Sequence, residues 1–237
     1  MRFITLFFVI VCCSSGAYAQ LVSWPLTANA DPAQVAANMT ALPFTKGPGT
    51  GTLTIGSTGA YCSGWTTSTG ADADDYFQIA VTPVAGYKIT INTIGFSERR
   101  SLTGPLEYSL QYDTDPAFSS PSVIATVSLP DNDLARDGTV TGINLMVNAG
   151  DTLYIRWYGY LAESSAGTWR INAGTLLLNG TVTEANPHDV TSFATSPAVQ
   201  SPALTLNPAS GNLYEVMAAS TKVWCEVSVA TRVKRLS

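Results

Sequence analysis

Tyr154, Arg156, Tyr158 and Tyr160 fall at every second position of one short segment, interleaved with Leu153, Ile155 and Trp157. In an extended strand, side chains two apart share a face. If the apolar trio faces a core, the three tyrosines and the arginine face outward together. Such a row can stack on the apolar faces of sugar rings, while phenol and guanidinium groups hydrogen-bond to hydroxyls. The same row is equally compatible with cross-strand aromatic pairs that only stabilise a sheet.

The acidic residues form a second constellation. Asp72, Asp74 and Asp75 make one group, and Asp131, Asp133 and Asp137 another, with Asp113 and Asp115 between them. Calcium takes oxygen ligands only, so these loops have suitable donors. None follows the spacing of an EF-hand loop. The other reading is solvated turns in which Asp accepts from its own backbone. No cofactor is expected, and structural Ca²⁺ is the one ion these loops are suited to.

Other chemistries find little. His188 is the single histidine, beside Pro187, and a Ser-His-Asp triad needs a histidine held by a carboxylate and facing a serine. Zinc sites need several His or Cys. Glu98, Glu107 and Glu163 could serve a glycan hydrolase only if two of them faced each other, and spacing shows no such pairing. The residues point to a non-catalytic protein.

The elements that must position these groups are strands. Charged residues are 12% of the chain, against about 25% usually. Thr, Val, Ile and Tyr abound, which favours strands over helices. Tyr76–Val81 alternates, with Phe77, Ile79 and Val81 on one face. In 87–96 the apolar parity slips between Ile91 and Ile94, which marks a bulge or a bend between sheets. Strands are also expected over 106–112, 123–129, 140–147, 153–160 and, as one closing element, 169–178. Turn signals separate them at the spacing of a sandwich or jelly roll. Asp31-Pro32 before the Ala-rich stretch 33–39 predicts one helix of about two turns.

The N-terminus reads as an export signal over residues 1–19. Arg2 precedes an apolar run to Val11, and Ala17-Tyr18-Ala19 offers small residues at the cleavage positions. That run is too short to span a bilayer, which takes roughly 20 residues. The formal net charge is −5, and loss of Arg2 makes the mature chain more acidic still. Nucleic acid is therefore excluded as a partner, because phosphate binding needs concentrated Lys and Arg. Residues 20–185 suffice for one full domain, expected as a two-sheet β-sandwich of jelly-roll type. Residues 183–189 read as a linker, and 186–237 as a partial second β-domain. Cys62 and Cys225 lie on opposite sides of that linker.

Several motifs together carry a resemblance: Asp75-Tyr76-Phe77 after Trp65, Ala85-Gly86-Tyr87, Arg99-Arg100-Ser101 with Thr103-Gly104-Pro105, and Gly167-Thr168-Trp169-Arg170-Ile171. With these, residues 21–185 resemble a β-sandwich module of secreted, often multidomain proteins of the Bacteroidetes. The resemblance implies an all-β, jelly-roll-like fold and no active residue. Asp189-Val190-Thr191, Phe193, Ala203-Leu204-Thr205-Leu206 and Leu213–Ser220 resemble the opening of a fibronectin type III-like domain. That likeness fades after Ser220, before the basic run Arg232 to Arg235. The expectation is the truncated head of a longer protein, with further domains as partners.

The functional expectation is a secreted or cell-surface binding and adhesion module, with polysaccharide or cell-surface glycan as ligand. A purely structural spacer and a glycan-active hydrolase are the alternatives.

Overall fold

The computed structural model describes residues 18–185, 213–218 and 221–226. Residues 1–17 of the export signal expected over 1–19, the strands expected at 190–195 and 203–206, and the basic run at 232–235 lie outside these residues. The chain divides between Pro187 and His188 into two units.

The first unit is built of fourteen strands: β1 (Ala19–Trp24), β2 (Met39–Lys46), β3 (Thr54–Gly56), β4 (Gly59–Cys62), β5 (Tyr76–Pro83), β6 (Tyr87–Gly95), β7 (Ser97–Arg100), β8 (Glu107–Asp113), β9 (Ser122–Ser128), β10 (Arg136–Asp137), β11 (Val140–Val147), β12 (Leu153–Tyr160), β13 (Trp169–Asn172) and β14 (Leu176–Glu184). They form three antiparallel sheets, ordered β1-β14-β6-β11, β10-β7-β13-β4-β3 and β2-β5-β12-β8-β9. Neighbours in a sheet are seldom neighbours in sequence, which is the crossing connectivity of jelly-roll sandwiches. In the second unit, β15 (Leu213–Ala218) pairs with β16 (Thr221–Glu226).

Strands β6 and β7 are separated by Phe96 alone, and β13 reaches β14 through a turn at Gly174, whose φ of 72° suits glycine. The first two sheets thus follow one another along the chain. One core cluster joins them to the third sheet: Val22, Ile89 and Leu178, then Trp169 and Ile171, then Phe77, Ile155 and Leu110. The parity slip in β6 is a bulge. Opposite β14, Ile91 pairs with Gly180 and Thr93 with Asn179, which leaves Asn92 without a counterpart. The 169–178 segment is two strands in different sheets instead of one, because Gly174 turns the chain within it.

The expected helix is absent. Residues 33–36 instead bond to β1: Ser23 N donates to Ala33 O at 3.0 Å, Ala33 N to Ser23 O at 2.6 Å, and Ala36 N to Leu21 O at 2.7 Å. Gln34 and Asn38 take positive φ of 52° and 63°, which no helix allows. Two turns of helix are marginal in isolation, so bonding to a neighbouring strand wins.

Aromatic rings fill the core between layers. Trp65 packs edge-on to Phe77 at 5.0 Å and to Trp169 at 5.4 Å, and Phe96 meets Trp157 at 5.4 Å. Trp24, Trp65, Trp157 and Trp169 are all fully buried. At about 25 cal/mol per Å² and roughly 200 Å² each, burial of every such ring stabilises by about 5 kcal/mol before entropy. The cluster also needs Gly159, since a Cβ there would lie 2.9 Å from the Trp65 ring and 3.0 Å from Pro105.

Candidate functional site

Strand β12 is the middle strand of the β2-β5-β12-β8-β9 sheet. Its register sets Tyr158 opposite Tyr76 and Arg156 opposite Gln78 on β5, and Arg156 opposite Gln111 and Tyr158 opposite Ser109 on β8. Leu153, Ile155 and Trp157 face the core, as the two-residue period predicts. Tyr154, Arg156, Tyr158 and Tyr160 therefore lie together on the other face.

That face is not the open aromatic platform the sequence led us to expect. Arg156 and Tyr160 keep 7% of their surface exposed and Tyr158 keeps 5%, while Tyr154 is half-buried. Over Arg156 and Tyr158 the cause is a roof. The loop after β8 folds back over β12 and places the Phe118 ring 3.8 Å from the Arg156 guanidinium carbon, with Tyr76 on the other side at 3.9 Å. Phe118 adopts φ of 54°, an uncommon backbone for a bulky residue. Its loop is held by carboxylates. Asp115 accepts from Ala117 N at 2.9 Å and Ser119 Oγ, and Asp113 accepts from Asp115 N and Ser120 N. The Ser119 hydroxyl, followed by the Ala117 amide, holds the Asp115 carboxyl below its ordinary value.

Arg156 is fixed by this enclosure. Nε donates to Gln78 Oε1 at 2.7 Å, Nη2 to Pro116 O at 2.9 Å, and Nη1 to the Tyr158 hydroxyl at 3.2 Å. These three bonds leave N–H groups of the planar fork free. Burial raises the Tyr158 phenol above its ordinary pKa, against the pull of Arg156. Burial, and then Glu107 beside it, does the same to Tyr160. Both are neutral hydrogen-bonding groups at pH 7. Beside Arg156 and Tyr158, and away from Tyr154 and Tyr160, opens a pocket of about 220 Å³, lined also by Asp72, Gln111, Phe118 and Pro121 among others. It can take one polar group of a ligand, with stacking against Phe118.

The aspartates proposed for calcium are engaged elsewhere. Asp131 accepts from Arg100 at 2.8 Å, Asp133 from Arg99 at 2.9 Å, and Asp137 from Thr139 N at 2.9 Å. Asp72 caps Asp74 N at 2.9 Å, and Asp75 is 5% exposed. Among the described residues no three His, Cys, Asp or Glu side chains converge as metal ligands. Asp72, Asp131, Asp133 and Asp137 each accept from a backbone or arginine donor, as aspartates in turns do.

Glu98 and Glu163 hold arginines, while Glu107 accepts from Ser128 Oγ. Glu98, 1% exposed, accepts from Arg136 Nε at 2.6 Å, Arg136 Nη2 at 3.2 Å and Trp169 Nε1 at 2.7 Å. Arg100, fully buried, pairs with Glu163 and Asp131 and donates to the carbonyls of Leu102 and Gly104, so it anchors the 101–105 loop. Arg99 and Arg100, adjacent on a strand, face opposite ways, and Glu163, 63 residues from Arg100, is a partner that local sequence does not name. Cys62 is a free, buried thiol whose pKa burial pushes up to about 12. No described helix is long and apolar enough to cross a membrane.

No protein-family model matches the chain, and no curated protein matches it. Solved structures do align with it. A mutant of a family 29 carbohydrate-binding module aligns at 12% identity and TM-score 0.35, over 69% of this chain and 91% of that one. The N-terminal cellulose-binding domain of Cellulomonas fimi β-1,4-glucanase C aligns at 14% and 0.36, over 61% and 89%. The K2 cleaved adhesin domain of Lys-gingipain aligns at 10% and 0.37, over 68% and 99%. All three scores lie below 0.5, and the functional reading rests on the site itself.

Proposed function

We propose that the chain is a secreted, non-catalytic carbohydrate-binding module. Its ligand is a polysaccharide or cell-surface glycan held on the outer face of the β2-β5-β12-β8-β9 sheet. The observation that carries this reading is Arg156, clamped between two rings with N–H donors to spare beside a pocket. The guanidinium is already oriented, so a bound hydroxyl gains its bonds at small entropic cost. Tyr158 Oη and the Gln111 amide add donors and acceptors, and Phe118 offers an apolar face. The signal over residues 1–19 exports the protein, and the second unit begins a fibronectin-like domain of a longer, Bacteroidetes-type chain. Catalysis forms no part of this proposal, since Glu98 and Glu163 each hold an arginine.

Electrophoresis of the full chain through gels loaded with neutral polysaccharides tests it. One or more should retard the protein, and Gln111→Ala and Tyr158→Phe should each weaken retardation several-fold while the fold stays intact. A folded protein that no polysaccharide retards overturns the reading. It would favour a second one, a structural spacer, for which the near-complete burial of Tyr158 and Tyr160 speaks.

A further inference from the structure

A separate pocket of about 420 Å³ lies where β7 and β13 pair, lined by Arg99, Arg170, Ser101, Thr103, Thr168 and Leu102 among others. Arg170 stands directly across from Arg99 in the register, so both guanidinium stems leave the same face of the sheet. Like charges at directly opposed positions repel. Asp133 answers only Arg99, through an ion pair whose side chains are 42% and 51% exposed. Among the described residues Arg170 has no carboxylate partner. Its Nε is buried without an acceptor, and its guanidinium carbon sits 5.5 Å from the Tyr61 ring.

The geometry points to an oxyanion site: Arg170 and Arg99 together bind a carboxylate or sulfate group carried by a glycan. Arginine forks match such groups in bidentate fashion, and the Tyr61 ring lies within cation–π range of the Arg170 guanidinium. The hydroxyls of Thr103 and Thr168 can donate to further oxygens, and Leu102, 62% exposed, presents an apolar rim for the ring that bears the anion. The chain as a whole is acidic, at −5. A polyanion is repelled by the molecule at large, so any binding must come from a local cluster of this kind. This site shares no residue with the Arg156 pocket, and either proposal can fail without the other.

The test is gel retardation of the full chain by polygalacturonate, which carries carboxylates, by dextran sulfate, and by uncharged dextran. We expect one or both polyanions to retard the chain more than dextran does. It should weaken as salt rises from about 0.01 M to about 0.15 M, over which the Debye length falls from about 30 to about 8 Å. Arg170→Gln should reduce affinity about tenfold, and Arg170→Lys by less. Asp133→Asn frees Arg99 from its competitor and should strengthen binding, an effect that misfolding cannot mimic. Which polyanion is retained identifies the group recognised. No retardation by either polyanion, equal retardation by dextran, or unchanged binding in folded Arg170→Gln overturns the proposal.

Discussion

Replacing Glu98 by Gln probes what ties β10, β7 and β13 together within their sheet. The carboxylate is 1% exposed and accepts three hydrogen bonds, two from Arg136 and one from the Trp169 indole. Gln keeps the shape and one acceptor. Its oxygen can still receive the indole N–H, but its NH₂ then faces an arginine N–H, donor against donor. Breaking a buried pair by removing one partner costs about 3–5 kcal/mol, because the other charge stays behind. The Arg136 side chain is 16% exposed, so water can reach it in part and the lower end, about 3 kcal/mol, applies. For a domain of this size 1 kcal/mol moves Tm by about 2–4 °C, so Glu98→Gln should lower Tm by roughly 6–12 °C. Near-ultraviolet circular dichroism during heating at pH 7 follows the buried tryptophans directly. Arg136→Met should cost at least as much, since it strands the more buried partner. The double variant should lose far less than the two singles added, because no buried charge is left alone. A shift under about 2 °C for Glu98→Gln, or simple additivity in the double variant, would refute the reasoning.

Asp75 and Cys62 supply two further tests. Burial, and then the charge of Asp72, raises the Asp75 pKa above 3.8. A carboxyl raised on folding binds more protons folded than unfolded, so its contribution is full below the unfolded value and lost as pH climbs through the folded one. Urea midpoints should therefore show stability from this group falling as pH rises from 3.8, and Asp75→Asn should remove that slope; parallel pH profiles for the two proteins would contradict it. Cys62, with its thiol raised to about 12, should resist iodoacetamide at about pH 8 in the folded protein and react once urea unfolds it, because the thiolate is the nucleophile. Peptide mapping of the Cys62 label reads this, and rapid labelling of the folded protein would place the thiol in solvent.

Local sequence determined the faces of the strands. A period of two in 153–160 and 76–81 assigned Ile155, Trp157, Phe77 and Ile79 to the core, because successive side chains of any strand must alternate. The slip in β6 was legible for the same reason, since one unpaired residue, Asn92, reverses the parity. Tertiary bonding decided where local signals were weak. The Ala-rich stretch at 33–39 had helix punctuation but little to bury, and β1 took up its backbone groups. Tertiary structure also decided what covers each face. The Pro116 carbonyl that holds Arg156 is 40 residues away, and the alternation of a strand carries no information about a distant loop that folds over it. The pairing of Arg99 with Arg170, too, exists only in the register of β7 with β13. Side-chain direction is a property of the local backbone and can be read along the chain; burial and partnership depend on long-range packing, which only the folded molecule displays.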